Sequence, residues 1–381
     1  MFHYFRAKPP YRTLNQITLS TSALQNNYTF FKNLNTHVKI APVLKSNAYS
    51  HGLIPIARMA DRFGAPFFIV DSLYEAYEVS KATVRTPILI MGYTHPDNFR
   101  WKQLRFHTVV SDMDTIRILQ KYQPSMPLHL KVDTGMNRQG VRFDELEKVL
   151  EELKKFPRLN FAGITTHLAD ADNSTSQTLT KLQVKRFEDA IKMTEKFGFN
   201  PQWRHLANTA GSIKASSSLC NLARVGLGFY GISPLDPQDR AFAESHAEHL
   251  QPVLQLETTL SQIKKAYAGE TIGYNGTFLV KENMTLGILP IGFYDGPDRR
   301  LSNTGSVLIN DTVCPIVGRV SMNITVIDIS HVRNVEVGQR CIVYSRNPND
   351  LNSIQNSAKL CKTTSYDLLV HLAESIKRTP V

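Results

Sequence analysis

Short apolar runs alternate with segments of helical periodicity along the first two-thirds of the chain. Eight runs have the length and composition of buried parallel strands, at residues 39–44, 66–70, 87–91, 107–110, 128–132, 161–167, 203–206 and 222–225. Between them lie amphipathic segments, of which residues 142–155 are the clearest, with leucine and valine at helical spacing and Glu and Lys on the other face. This alternation predicts an α/β fold, an N-terminal (β/α)8 TIM-type barrel. The doubly wound alternative would need a glycine-rich turn after its first strand, and none stands there.

The pattern changes after about residue 250. Apolar residues alternate with polar ones in residues 253–265, and further β-rich segments follow at 305–310, 312–317, 320–329 and 340–344. Asn310-Asp311 lies between two of these segments and suits a hairpin turn. A chain of 381 residues also exceeds what one hydrophobic core usually serves. We therefore predict two domains, a barrel over residues 1–246 and a mostly β domain over residues 247–381.

Composition and charge narrow the functional classes only a little. The chain is 42% hydrophobic and 20% charged, as in ordinary globular proteins, and carries a formal charge of +11. Such an excess suits anionic ligands or nucleic acid, but the basic residues occur in scattered pairs and form no arm, so nucleic-acid binding is not expected. No apolar run approaches the ~20 residues of a membrane span. The four cysteines form no CxxC pair, which predicts neither a metal site nor disulfides and fits a cytoplasmic protein.

Polar side chains follow several of the predicted barrel strands. They are Lys45, Lys131, Asp133, His167, Asn208 and Arg224. Each alone is weak evidence, because a lysine after a strand is usually a surface residue and a lone histidine is usually structural. In a barrel, however, the carboxyl ends of all strands meet at one face, where active sites are built. The joint placement of these residues predicts a site at that face.

Seven segments resemble, in the family's order, the motifs of alanine racemases, which are fold-type III pyridoxal-phosphate enzymes. They are residues 41–52 (APVLKSNAYSHG), 131–138 (KVDTGMNR), 166–167, 207–210 (ANTA), 224–227 (RVGL), 273–274 and 317–322 (VGRVSM). The resemblance covers nearly the whole chain. It implies the cofactor pyridoxal 5'-phosphate, a conjugated ring that can delocalise the charge left when an amino acid loses its α-proton.

The resemblance also implies a role for each matching residue. Lys45 would hold the cofactor and act as one base, and Tyr274, contributed by the partner subunit of a homodimer, would act on the opposite face of the substrate. Arg224 would face the ring nitrogen and keep it neutral, since an arginine retains its own protons, with His167 orienting the arginine. The remaining cofactor-binding residues would be Tyr49, Asn208, Thr209, Gly226, Leu227 and Tyr366. Arg138 and, from the partner subunit, the backbone of Met322 would bind the substrate carboxylate, and Lys131 matches a lysine that is carbamylated in many relatives.

The implied function is the interconversion of L-alanine and D-alanine, which supplies D-alanine for peptidoglycan. Ser50 and Asn137 stand where relatives usually have glycine, and Phe293 and Asn323 change the polarity of the site mouth. A broad-specificity racemase acting on serine or larger amino acids is therefore the nearest alternative. A barrel decarboxylase that uses the same cofactor is more remote, because its triple-glycine phosphate loop has no counterpart here. A cofactor-binding protein without catalysis would lack Lys45 or Tyr274, and both are present.

Overall fold

The computed structural model describes residues 12–215 and 217–381. In chain order, the strands are β1 (Gln16–Leu19), β2 (Lys39–Pro42), β3 (Phe68–Val70), β4 (Ile88–Ile90), β5 (His107–Val110), β6 (Leu128–Asp133), β7 (Val141–Arg142), β8 (Phe161–Thr165), β9 (Trp203–His205), β10 (Leu222–Val225), β11 (Leu254–Thr259), β12 (Gln262–Ala266), β13 (Thr271–Ile272), β14 (Phe278–Leu279), β15 (Met284–Leu289), β16 (Ser306–Ile309), β17 (Thr312–Pro315), β18 (Thr325–Asp328), β19 (Arg340–Tyr344) and β20 (Lys377–Pro380). The helices are α1 (Thr21–Leu34), α2 (Lys45–Tyr49), α3 (Leu53–Ala60), α4 (Leu73–Ser80), α5 (Pro96–Trp101), α6 (Met113–Tyr122), α7 (Leu146–Lys154), α8 (Thr178–Lys196), α9 (Thr209–Lys214), α10 (Arg240–Glu244), α11 (Ile354–Leu360) and α12 (Ser365–Val370).

The chain divides into two compact units. One is Ser20–Val253, and the other joins the N-terminal strand β1 to Leu254–Val381. β1 belongs with the second unit because it pairs antiparallel with β11 and parallel with β20. The predicted division at residue 246 instead placed this strand in the barrel domain, since a four-residue strand of alternating polar and apolar residues carries no sign of a partner more than two hundred residues away.

Parallel strands of the first unit close into a barrel. β3, β4, β5, β6, β8 and β9 form a continuous sheet, and β2 pairs with β10. A parallel bridge between Val43 and Ile69 joins β2 to β3, and the Arg224 N–H donates to the Ala207 carbonyl at 2.9 Å, which joins β10 to the end of β9. All eight strands predicted from the sequence lie in this ring, and the predicted (β/α)8 barrel is confirmed.

Helices between the strands cover the barrel with their apolar faces. In α7, Leu146, Val149, Leu150 and Leu153 are buried, as the periodicity of residues 142–155 predicts, although the helix itself begins only at Leu146. Several helices start at a side-chain cap, and Asn208 caps α9 by accepting the Gly211 N–H at 2.8 Å. These caps fix where the chain leaves each strand, and so position the residues at the strand ends.

The second unit is mostly strand, as predicted. Its larger sheet has the order β17-β16-β19-β11-β1-β20, and β12, β15 and β18 form a three-stranded sheet. The strand predicted over residues 253–265 is two strands, because at Leu260 and Ser261 the backbone stops bonding β19 and begins bonding β15. Within the β-rich segment predicted at residues 320–329, Thr325–Asp328 forms the strand that pairs with β15.

Candidate active site

Lys45 begins an unusual turn at the end of the first barrel strand. The five residues that follow it, Ser46 to Ser50, all have φ between 51° and 59°, a left-handed turn without glycine. Each such residue costs roughly 1–2 kcal/mol, and strain of this kind persists only where neighbours hold it. The Glu75 carboxylate does so by accepting the N–H groups of Ser46 at 2.6 Å and Asn47 at 3.4 Å. Because Tyr49 lies in the same turn, the turn sets the side chains of Lys45 and Tyr49 relative to each other.

A small cradle of hydroxyl and amide groups lies next to this turn. The Thr209 hydroxyl at the start of α9 accepts the N–H groups of Gly226 at 3.2 Å and Gly228 at 3.4 Å. A Cβ atom at Gly226 would lie 2.6 Å from the Tyr49 hydroxyl, so only glycine lets these groups meet. Tyr49, Thr209 and Gly226, predicted separately from the sequence, are therefore neighbours in the structure, and their polar groups suit an anion such as a phosphate.

Arg224 is a cation buried in the barrel without a carboxylate partner among the described residues. Its side chain is 3% exposed. Its guanidinium donates to the carbonyls and side chains of neighbouring strands, with acceptors at the Thr165 hydroxyl (3.2 Å), the Thr166 carbonyl (2.7 Å), His167 Nδ1 (3.1 Å), the His205 carbonyl (3.0 Å), His205 Nδ1 (2.9 Å) and the Leu206 carbonyl (3.3 Å). Burial lowers the pKa of Arg224 to about 10, so the group stays charged at neutral pH. The contact with His167 is the one that the sequence predicts.

Lys131 and Arg138 lie on either side of a tight turn after β6. The Asp133 carboxylate holds this turn by accepting the N–H groups of residues 135 to 138 at 2.9 to 3.1 Å. Although burial opposes it, these four donors hold the pKa of Asp133 below its usual value. The Lys131 amine donates to Gln139 at 3.1 Å. Burial, together with the charges of Arg224 and Arg138, lowers the pKa of Lys131 to about 8.

Burial and the same cations act on His167. Its burial, followed by the charges of Arg224, Arg138, Lys131 and Lys45, lowers the pKa of His167 to about 2. The imidazole is therefore neutral over the working range, and its Nδ1 can accept from Arg224. The charges of these four residues act on one imidazole because they share one face of the barrel.

The remaining predicted residues belong to the second unit, and each is exposed there. Tyr274 follows Gly273 in a short turn and is 67% exposed, Met322 is 59% exposed, and Tyr366 in α12 is 40% exposed. The backbone of Met322 is fixed, since its carbonyl accepts the Tyr294 N–H at 3.0 Å. Two large apolar side chains this exposed, Tyr274 and Met322, are available to a ligand or a partner chain.

The structure also reveals residues that the sequence did not single out. His129 and His205 are fully buried in the barrel interior. His205 contacts Arg224, His129 contacts His205, and His107 contacts His129. Glu75 holds the turn after Lys45, and Gln139 accepts a hydrogen bond from the Lys131 amine. Their sequence signals were weak, because a single histidine in an apolar strand and a single acid in a helix are common.

Fold and site together define a (β/α)8-barrel with a lysine, a buried arginine and a hydroxyl-lined cradle at one face. Residues 19–234 match the family described as "Alanine racemase, N-terminal domain", and residues 253–380 match "Alanine racemase, C-terminal domain". The chain belongs to the alanine racemase family, whose members depend on pyridoxal phosphate, and the predicted assignment to a family of isomerases is confirmed.

Individual relatives agree with this assignment over nearly the full chain. The alanine racemase of Leptospira interrogans is 31% identical over 371 residues, which are 96% of this chain and 95% of that protein. The alanine racemase of Carboxydothermus hydrogenoformans is 32% identical over 362 residues, 93% of this chain and 96% of that protein. The crystal structure of the Bacillus anthracis alanine racemase with bound L-Ala-P has a TM-score of 0.86 at 28% identity and covers 98% of this chain and 96% of its own.

Proposed function

We propose that this protein racemises alanine with pyridoxal 5'-phosphate bound at the barrel face described above. The observation that carries the proposal is that Lys45 and a buried Arg224, which has no carboxylate partner among the described residues, both act on His167 at one face of the barrel. A pyridine nitrogen facing a guanidinium stays unprotonated, because the guanidinium keeps its own protons. A ring whose nitrogen is unprotonated withdraws electrons less strongly, and this favours proton exchange at the α-carbon over competing reactions of the same cofactor.

The residues present fit the cofactor. The hydroxyl groups of Tyr49 and Thr209 can donate to a phosphate, and Gly226, whose N–H bonds the Thr209 hydroxyl, keeps the cradle open because a Cβ there would fill it. We assign the neighbouring Leu227 N–H to the same phosphate. Lys45 supplies the primary amine that the aldehyde of the cofactor needs. When bound, pyridoxal phosphate would supply an electron sink for the charge left by the departing α-proton.

Other residues would complete the cofactor site. Asn208 positions Thr209 by capping α9, and His167 contacts Nη2 of Arg224 whereas His205 contacts Nη1. Tyr366 is proposed as a further phosphate donor. Its removal as Tyr366→Phe should weaken cofactor affinity, measured by absorbance titration, less than Tyr49→Phe does. An equal or larger loss would show that the cradle is not the main phosphate site.

Lys45 and Tyr274 are proposed to move the α-proton from opposite faces of the substrate. Lys45 would act from the barrel, and Tyr274 would come from the partner subunit, which its exposure permits. Arg138 and the backbone of Met322 would bind the substrate carboxylate, since a guanidinium matches a carboxylate in two hydrogen bonds. This arrangement requires a homodimer with shared active sites, so activity per chain should fall on dilution below the dimer dissociation constant.

Lys131 is proposed to be carbamylated. Only a neutral amine attacks carbon dioxide, and a pKa of about 8 leaves a useful neutral fraction at physiological pH. The resulting anion would lie close to Arg138 and Arg224, whose charges already act on Lys131. It would then hold Arg138 toward the substrate carboxylate, in place of the neutral contact between Lys131 and Gln139.

The decisive experiment follows the α-proton in deuterated water. With L-alanine, the native protein should place deuterium at the α-carbon of both enantiomers. Tyr274→Phe and Lys45→Ala should each abolish racemisation, and Tyr274→Phe should still exchange the proton of one enantiomer without inverting it, because one base remains. Racemisation that persists in Tyr274→Phe at the native rate would refute the two-base assignment. Turnover of serine and larger amino acids, compared with alanine, tests the broader specificity that Phe293 and Asn323 raise.

The cellular location of the protein is proposed from its cysteines and its helices. Cys220, Cys314, Cys341 and Cys361 are buried thiols, which suits a reducing cytoplasm. Within residues 12–215 and 217–381, no helix combines the length and apolar character needed to cross a bilayer. We propose a cytoplasmic enzyme that provides D-alanine for peptidoglycan. Its loss in a peptidoglycan-bearing host should create a requirement for added D-alanine.

A further inference from the structure

Three imidazoles form a hydrogen-bonded row that leads from Arg224 through the barrel interior. His205 Nδ1 lies 2.9 Å from Arg224 Nη1, and His205 Nε2 lies 2.9 Å from His129 Nδ1. His129 Nε2 in turn lies 3.1 Å from His107 Nδ1. His205 and His129 are fully buried, and His107 is partly buried. We call His205, His129 and His107 the imidazole row.

In the native row, one tautomer of His205 satisfies both of its contacts, with Arg224 on one side and with His129 on the other. A guanidinium only donates, so His205 must accept at Nδ1 and, when neutral, carry its proton on Nε2. That Nε2–H then donates to His129, which by the same logic donates to His107. Burial, with the charge of Arg224, keeps the pKa of His205 and His129 well below 6.5, and burial lowers the pKa of His107 to about 4. All three imidazoles are therefore neutral at pH 7 and share one tautomer.

The barrel is shaped around the row. A Cβ atom at Gly163 would lie 2.2 Å from His129 Nδ1, so the neighbouring strand β8 leaves space for this ring. Phe67 packs its ring edge-on against His107 and His129, with centroid distances of 4.6 and 5.8 Å. Barrel interiors are usually filled by branched aliphatic side chains. Polar rings at these positions are costly unless their hydrogen bonds are satisfied, and here each ring bonds the next.

We propose that His129, which does not contact Arg224, is a positioning residue for the cofactor site: it locks the tautomer of His205 and thereby the guanidinium of Arg224. The inference rests on the proposed role of Arg224 at the cofactor ring. Without an acceptor at position 129, the buried Nε2–H of His205 would have no partner, and this cost makes the tautomer with its proton on Nδ1 competitive, although that tautomer loses the contact with Arg224. A neutral row also holds the arginine without a carboxylate, so the charge of Arg224 stays directed at the ligand.

A pair of substitutions separates the hydrogen bond from the volume of the ring. His129→Leu removes the acceptor, whereas His129→Asn places an amide oxygen close to the position of Nδ1 and keeps it. Phe67→Leu is the matched control, because it disturbs packing against the same imidazoles and removes no hydrogen bond. Gly163→Ala pushes the native His129 ring aside and tests the same link if His129→Leu does not fold.

The first readout is the tautomer itself, by ¹⁵N NMR of histidine-labelled protein with and without cofactor. In the native protein and in His129→Asn, His205 should carry its proton on Nε2 alone; in His129→Leu it should populate both tautomers. Because this measurement needs no turnover, it tests the inference even if the proposed function fails. A native His205 protonated on Nδ1, or a single tautomer that survives in His129→Leu, would overturn the inference.

The second readout is steady-state racemisation of alanine by the holoenzyme. We expect kcat to fall about tenfold in His129→Leu with KM changed less than about twofold, the ratio expected when roughly 1.4 kcal/mol of transition-state stabilisation is lost. His129→Asn should recover most of kcat, and Phe67→Leu should stay within about twofold of the native value. Equal losses in His129→Leu and Phe67→Leu would mean that His129 only fills space.

Discussion

Gly226 offers the sharpest test of the phosphate cradle, because one added methyl group would strike one identified atom. In Gly226→Ala the new Cβ would lie 2.6 Å from the Tyr49 hydroxyl oxygen and 3.2 Å from Tyr49 Cζ. Ordinary contacts begin at 3.4 Å, so the hydroxyl would have to move by 3.4 − 2.6 = 0.8 Å. Tyr49 has little room to do so, since its ring packs on buried Tyr230 at a centroid distance of 5.1 Å.

The size of the effect follows from the cost of crowding a packed site. Overpacking of this kind costs about 1–3 kcal/mol, and the rigid neighbours of Tyr49 argue for the middle of that range. If the hydroxyl is displaced from the phosphate, a loss of about 2 kcal/mol corresponds to a roughly thirtyfold higher Kd for pyridoxal phosphate. Tyr49→Phe alone, which removes one hydrogen bond to a charged group, should raise Kd about tenfold.

A double-mutant cycle makes the prediction specific. Tyr49→Phe removes the atom that the new methyl group strikes, so the double variant should bind the cofactor about as well as Tyr49→Phe alone. Independent effects would instead multiply to about three-hundredfold. Absorbance titration of the ligand-free proteins measures all four affinities, and Gly287→Ala, which meets Leu260 at 2.9 Å in the other unit, is the control for crowding elsewhere. Multiplicative effects would show that Tyr49 and Gly226 do not share the cradle.

Three further predictions test charges in and around the site. In Asp133→Asn, four N–H groups lose a carboxylate acceptor, and KM for alanine should rise severalfold. Because the pKa of Asp133 is lowered in the folded state, its carboxylate stabilises the fold at neutral pH and this effect is lost in acid. The melting temperatures of the native protein and the variant should therefore converge as the pH falls through that pKa. A ¹³C-bicarbonate NMR signal from carbamylated Lys131 should grow as pH rises toward 8 and be absent in Lys131→Gln; an unchanged signal in the variant would refute the assignment. Lys214→Met should lower the melting temperature by several degrees, because it leaves the buried Asp239 carboxylate without its lysine partner. The double variant Lys214→Met with Asp239→Leu should recover part of this loss.

The barrel could be predicted from the sequence because its strands are buried on both faces. Most of these strands are then short runs of mainly apolar residues, and the run ends close to the end of the strand, as in residues 87–91, where the strand is Ile88–Ile90. The second unit was harder, since alternation reports which face of a strand is buried and does not report its partner. Leu254, Leu256, Thr258 and Leu260 are buried as predicted, yet the chain changes sheets immediately after them.

Individual site residues could be predicted from the sequence where the chemistry restricts the residue type. They were missed where only the folded geometry brings them together. The buried arginine and the lysine after the first strand were identified from their motifs. The imidazole row was not, because its members come from three strands whose neighbours are known only once the barrel closes. The left-handed turn after Lys45 was not predicted either, since the residues that form it include no glycine.

The cations that act on Lys131 outnumber the carboxylates that do so, and the site should for this reason favour anionic ligands. The charges of Arg224, Arg138 and Lys45 each lower the pKa of Lys131, because they repel its protonated form. The opposing charge of Asp133 is already engaged with four backbone donors. A ligand that brings a phosphate and a carboxylate relieves this repulsion, whereas a neutral ligand of the same shape does not. Binding should therefore stabilise the folded protein, and cofactor should raise its melting temperature by an amount that grows with the logarithm of the cofactor concentration divided by Kd.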